Sequence, residues 1–79
     1  MKGSSLVTVY SKRNCVQCNA TIRFLKKRDV EFSVVSLDDH PDVLEGLKAH
    51  YGVSQAPVVR DGTEVWSGFR PDKLQDLAA

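Results

Sequence analysis

The sequence has little that would staple it, anchor it or draw it to a charged surface. Among its 79 residues are only two cysteines, Cys15 and Cys18. A bridge between them closes so short a loop that it removes little entropy from the unfolded chain, so the pair is a poor candidate for a structural staple. Charge is balanced, with 11 basic against 10 acidic residues and a net +1, which leaves no excess to hold nucleic acid or a membrane surface. No apolar run approaches the roughly 20 residues of a membrane-spanning helix. The one early apolar stretch soon reaches Tyr10-Ser11-Lys12-Arg13, too soon for a secretory signal, and no small-residue cleavage site follows it. A reducing cytoplasm is therefore the expected compartment, and there paired cysteines usually mean chemistry or metal binding. Repeats, linkers and low-complexity segments are missing too. With 42% hydrophobic and 27% charged residues, residues 1–79 are expected to form one globular domain with a thin stability margin, because so short a chain buries a modest share of its surface.

What is there is a regular alternation of strands and helices. Leu6-Val7-Thr8-Val9-Tyr10 is rich in β-branched residues and predicts a strand. Ser11 to Asn14 is polar and predicts a loop. A helix is expected from Cys15 to about Asp29, with Cys18, Ile22 and Leu25 on one face and Arg23, Lys26 and Lys27 toward solvent. Asn14 suits the N-cap, and Gln17 three positions later suits a capping box. Phe32 to Leu37 predicts a second strand, broken by Asp38-Asp39-His40-Pro41. Pro41 suits the first position of a helix carrying Val43, Leu44, Leu47 and Tyr51, and Gly52 ends it. Ala56 to Arg60, the turn Asp61-Gly62 and Thr63 to Trp66 predict a hairpin. Pro71 opens a last short helix with Leu74 and Leu77. The order is β-α-β-α-β-β-α.

A strand, a short loop and Cys-x-x-Cys at the start of a helix form a fairly specific pattern. Spacing i, i+3 puts both sulfurs on one side of the helix, within reach of a disulfide. The first turn offers unpaired N–H groups and the positive end of the helix dipole. A thiolate is stabilised there, and thiol pKa values in such settings fall to roughly 3.5–7.5. Lys12 and Arg13 upstream add positive charge. Cys15, at the tip, is expected to be exposed and to attack; Cys18, one turn inward on the apolar face, is expected to be covered and to resolve. The reaction is thiol–disulfide exchange, which calls for no bound metal or organic cofactor.

Two other readings of the pair stand beside this one. Zinc would need four ligands, and only His40 and His50 are available to join the cysteines, at separations unlike the usual finger patterns. Inert buried thiols are the other alternative. His40, beside a helix-opening proline, reads as a solvated loop residue, and His50 as a favourable charge at a helix end.

Val7-Thr8-Val9-Tyr10, Cys15-Val16-Gln17-Cys18, Gln55-Ala56-Pro57-Val58 and Trp66-Ser67-Gly68-Phe69-Arg70-Pro71-Asp72 together resemble the NrdH-redoxins, from about Val7 to Leu77. The resemblance implies an α/β, thioredoxin-like fold of glutaredoxin size, a four-stranded mixed sheet with three helices. It implies a dithiol–disulfide oxidoreductase that donates electrons to the large subunit of class Ib ribonucleotide reductase. Thioredoxin reductase would restore the dithiol, so NADPH is used only indirectly. The alternatives are a glutathione-dependent glutaredoxin and, in another class, a metal- or protein-binding module on the same fold. A monomer is expected.

The resemblance also assigns residues. Cys15 and Cys18 are the catalytic pair. Pro57 matches a proline facing the active site and expected to be cis, presenting the Ala56 backbone to an extended partner segment; the alternative is that Pro57 simply begins a strand. Lys12, Val16, Gln17, Ala56, Pro57 and Phe69 are the expected partner-binding residues. Trp66, Ser67, Gly68, Arg70 and Asp72 form a structural loop, in which Arg70 and Asp72 are expected to tie the loop to its neighbours. Glutathione-using relatives usually carry a Gly-Gly pair and an acidic residue here to hold the tripeptide's glutamyl end. Ser67-Gly68-Phe69 puts a bulky ring there instead, which argues against strong glutathione binding. Phe69 suits a partner anchor, while Trp66 is open between core and contact. Arg13 departs from the family, which often has proline two residues before the first cysteine, and should tune activity.

Overall fold

The sequence pattern sets four strands among three helices, and a computed structural model of residues 7–53, 55–62 and 64–77 shows how they assemble. The elements are β1 (Val7–Ser11), α1 (Val16–Lys27), β2 (Ser33–Ser36), α2 (Pro41–Tyr51), β3 (Val58–Asp61), β4 (Glu64–Ser67) and α3 (Pro71–Leu74), which runs into a 3₁₀ turn over Gln75–Leu77. The expected strand residues Leu6 and Thr63 lie outside the described residues, as does the Met1–Ser5 stretch.

The sheet order is β2-β1-β3-β4. β1 pairs in parallel with β2, Val9 opposite Val34, and antiparallel with β3, Val9 opposite Val59. The β3–β4 hairpin is antiparallel, with Val59 opposite Trp66. Because side chains alternate across a strand, β1, β3 and β4 each feed two cores. Val7, Val9, Val59 and Trp66 pack with Leu25 of α1 and Leu74 of α3 on one face. Tyr10, Val58 and Val65 pack with Leu37 and with Val43, Leu44 and Leu47 of α2 on the other. The fold is thus a three-layer α/β arrangement around a mixed sheet, as the resemblance implied.

The ends of the elements show where sequence signals operate. Pro41 takes the first position of α2, and Gly52 closes it at φ 70° with its N–H on Lys48 O, the left-handed cap that glycine adopts without a steric clash. α1 ends at Lys27, two residues short of the expected Asp29, which is itself left-handed at φ 58°. Val30 N–H then turns back to Leu25 O, so the Phe24, Leu25 and Lys26 carbonyls all have donors where the chain leaves the helix. β2 is shorter than Phe32–Leu37 at both ends: Phe32 is packed against core ahead of the ladder, and Leu37, buried in the other core, contributes to the ladder only its N–H, to Ser11 O.

Candidate active site

The start of α1 differs from the simplest capping expectation. Asn14 is not the N-cap: it sits at φ 53°, a left-handed conformation that asparagine tolerates better than most residues. Cys15 is the N-cap, with extended backbone, and its Sγ accepts the Cys18 N–H at 3.1 Å. Its carbonyl takes the first helical bond, from Asn19 N–H at 3.1 Å. Cysteine therefore fills the role that serine or aspartate usually fills at a helix start. The sulfur sits where free N–H groups and the dipole favour negative charge, and no acidic residue stands in the first turn to oppose it.

Cys15 and Cys18 form a disulfide, with Cα atoms 5.2 Å apart. Cys15 is half-buried rather than fully exposed, whereas Cys18 is 1% exposed. Between them Val16 is 81% exposed, a branched apolar side chain held out to solvent beside the sulfurs. One turn further in, Thr21 is fully buried, and its hydroxyl donates to Gln17 O at 2.9 Å, which satisfies the polar group inside the core.

Gln17 does not complete a capping box. Its Oε1 accepts the Phe69 N–H at 3.0 Å, across 52 residues of sequence. Gly68, at φ 85°, donates its own N–H to Pro57 O at 2.8 Å. An added Cβ at Gly68 would stand 3.5 Å from Gln17 Oε1. These two bonds bring the helix start, the Pro57 turn and the Ser67–Phe69 loop into one patch. Ser67 itself is paired with Val58 at the end of the hairpin.

The remaining expected residues fall as follows. Lys12 is exposed in the loop after β1. The Ala56–Pro57 peptide is cis; Pro57 is fully buried and Ala56 packs against the α2-side core. Trp66 is a core residue at 7% exposure, with Lys73 Nζ 5.6 Å from its ring centroid. Phe69 is half-buried, its ring edge-to-face with Phe24 at 6.1 Å, and Arg28 lies 5.3 Å from the Phe24 ring on that helix.

Among the described residues, the Arg70 and Asp72 side chains do not tie the loop to its neighbours. They bond to each other, Nε to Oδ1 at 3.2 Å and Nη2 to Oδ2 at 3.0 Å, on the surface. That pairing holds the Asp72 carboxyl below the usual aspartate range, through the hydrogen bond first, and raises the Arg70 guanidinium. The tie to the active site is made by main chain and by Gln17 instead.

One residue at the site carried no motif. Asp38, just after β2, accepts the Arg13 N–H at 2.7 Å through Oδ2, and the same oxygen lies 3.8 Å from Arg13 Nε. The only sequence hint was an acidic residue at the end of a strand parallel to β1. Among the described residues, no three His, Cys, Asp or Glu side chains converge as a metal-binding group, and no helix is long and apolar enough to cross a membrane.

Residues 7–66 match the family model for glutaredoxin. Over 71 residues the chain is 46% identical to the glutaredoxin-like protein NrdH of Salmonella typhimurium, covering 90% of this chain and 86% of that one. It is 37% identical over 73 residues to NrdH of Lactococcus lactis, covering 92% of this chain and 100% of that one. Among solved structures, the NrdH-redoxin of Escherichia coli is a glutaredoxin-like protein with a thioredoxin-like activity profile. It superposes with a TM-score of 0.87 at 41% identity, over 92% of this chain and 95% of that one.

Proposed function

The chain belongs to the glutaredoxin family and, within it, to the NrdH proteins, thiol–disulfide oxidoreductases, and from that premise we propose that it carries electrons from thioredoxin reductase to class Ib ribonucleotide reductase. In this reading Cys15 attacks and Cys18 resolves. The Cys15 thiolate forms a bond to one sulfur of a disulfide in the reductase's large subunit, and the other sulfur of that disulfide leaves and takes up a proton. Cys18 then gives up its proton and attacks Cys15 Sγ, which expels the second partner thiol. The net exchange moves two electrons and two protons: the partner becomes a dithiol and this protein a disulfide. Thioredoxin reductase, drawing on NADPH, returns it to the dithiol. The redox-active pair is the whole of the machinery, with no bound cofactor, and the protein works as a cytoplasmic monomer.

Two features of the pair support these roles. The N–H that reaches Cys15 Sγ in the disulfide is placed to stabilise a thiolate on the same atom. Cys18, almost fully covered, is shielded from an incoming partner yet within bonding distance of its mate. Val16 offers an apolar contact next to the attacking sulfur, and Phe69 borders the same patch.

The observation that carries the choice of reductant is the Gln17–Phe69 bond. Holding a tripeptide's glutamyl end would need free backbone donors in this loop. The Phe69 N–H is already spent on Gln17, the Gly68 N–H on Pro57, and the Phe69 ring occupies the space above Phe24. A glutathione-driven glutaredoxin therefore fits less well. The test follows NADPH consumption with the protein and a disulfide substrate, using thioredoxin reductase in one arm and glutathione with glutathione reductase in the other. Turnover with the first and little with the second is expected. Turnover only with glutathione would overturn the proposal.

A further inference from the structure

The β1–β2 ladder ends at Ser11 opposite Ser36, and one last bond closes that pair. Leu37 N–H donates to Ser11 O at 2.8 Å. In a parallel ladder the following rung would run from the Arg13 N–H to the Leu37 carbonyl. That rung is made by a side chain: Asp38 Oδ2 takes the Arg13 N–H at 2.7 Å. A carboxylate thus stands in for a main-chain carbonyl where the two strands part. The acceptor is a side-chain carboxyl oxygen, at a distance that makes this a well-formed bond.

The position of that rung matters. Arg13 stands two residues before Cys15, and the intervening Asn14 is at φ 53°, a left-handed turn position that asparagine accepts but most residues do not. Downstream, Cys15 is fixed by the start of α1. Upstream, the last fixed points are Ser11 and the Arg13 N–H. Arg13's side chain is 79% exposed and Asp38's 29%, so the 3.8 Å contact between their charges is a solvated one and contributes little. The main-chain bond is the firm part of the contact.

We infer that Asp38 is a positioning residue for the exchange reaction: by completing the last β1–β2 rung it holds the 12–14 turn so that Cys15 Sγ meets the Cys18 N–H. This rests on Cys15 being the attacking thiol. Asp38 touches neither sulfur, and its effect on reactivity passes through the Arg13 main chain. The role differs from that of a simple charge near the site, because Asp38 needs only an acceptor oxygen, not its negative charge.

The experiment measures the rate of Cys15 alkylation by iodoacetamide against pH in the fully reduced protein, with thermal unfolding as a check on folding. D38A removes the acceptor. Its alkylation midpoint is expected to rise, and each unit of rise lowers the thiolate fraction at a pH below both midpoints about tenfold. D38N keeps an acceptor oxygen without the charge and is expected to restore a profile close to that of the unsubstituted protein. R13A leaves the main-chain N–H in place and is expected to move the midpoint less than D38A does. A D38A profile that superposes on the unsubstituted one would overturn the inference, and so would a D38N profile that matches D38A. Should D38A not fold, D38N against R13A still decides: a larger shift in D38N than in R13A makes charge the operative property and refutes the positioning role. An ordinary thiol midpoint in the unsubstituted protein would instead refute the reading of Cys15 itself, a failure that is recognisable without any variant.

Discussion

Replacing Gln17 probes the link between the redox helix and the loop before α3. In Q17A the carboxamide that accepts the Phe69 N–H at 3.0 Å is gone. A net contribution of about 0.5–1.5 kcal/mol is typical of such a bond. Both residues have access to water, which can replace the lost acceptor, so the lower half of that range applies. Alanine's better helix propensity gives back a few tenths of a kcal/mol at most. The expected net loss is about 0.2–0.8 kcal/mol, and for a domain of this size each kcal/mol moves Tm by roughly 4–8 °C. Q17E separates this bond from a general effect at the helix start. Its carboxylate can accept the same N–H, as a charge-assisted bond worth about 1.5–3 kcal/mol. It also sits in the first turn, where a negative charge contributes about 0.3–1 kcal/mol. Q17E should therefore be at least as stable as the unsubstituted protein, while its charge beside Cys15 raises the thiol midpoint. Urea unfolding of the three oxidised proteins, with amide exchange at Phe69, checks both halves. Equal stability of all three, or an unchanged Phe69 exchange rate in Q17A, would refute the assignment of this contact.

Other perturbations test other parts of the structure. Gly68→Ala places a Cβ on a residue at φ 85°, and denaturant titration should show about 1–2 kcal/mol of destabilisation from the left-handed backbone; the new Cβ would meet Gln17 Oε1 at 3.5 Å, an ordinary contact that adds no clash. Leu25→Ala empties a fully buried position between β1, β3 and α3 and should cost about 2–5 kcal/mol, a large share of the stability of so small a domain, read by urea unfolding. The Asp72 carboxyl should titrate below the ordinary aspartate value by NMR, and Arg70→Ala should bring it back up. Because its folded value is depressed, the pair's contribution is present above the unfolded value and is lost as pH falls through the folded one, so the two proteins should converge in stability in strong acid.

The secondary structure was largely legible because each element carries its own punctuation. Pro41 and Gly52 bracket α2, Gly62 turns the hairpin one residue later than the expected Asp61-Gly62 because Asp61 still pairs with Glu64, Pro71 opens α3, and the i, i+4, i+7 spacing of Cys18, Ile22 and Leu25 gives α1 its inner face. Strand limits were less legible at Phe32 and Leu37, since hydrophobicity reports burial and both side chains are packed beyond the end of the ladder. Asn14 was misassigned for a physical reason: the same short polar side chain that suits an N-cap also suits a left-handed residue, and local sequence does not separate the two. Cysteine is seldom counted among capping residues, although its sulfur can accept an N–H. The chemistry of the pair was readable from Cys-x-x-Cys at a helix start. The braces around it were not, because Gln17 meets Phe69, and Asp38 meets Arg13, only through the fold. Arg70 and Asp72 show the opposite error, in which two charged residues of a signature loop satisfy each other and leave the anchoring to main chain.

The division of labour between the two sulfurs is tested most directly by trapping. Reduced Cys18→Ser and Cys15→Ser variants are mixed with a partner disulfide, and adducts are located by mass spectrometry after acid quenching. The account predicts a stable mixed disulfide on Cys15 in the first variant and essentially none on Cys18 in the second. Comparable adducts on Cys18, formed at a similar rate, would contradict it.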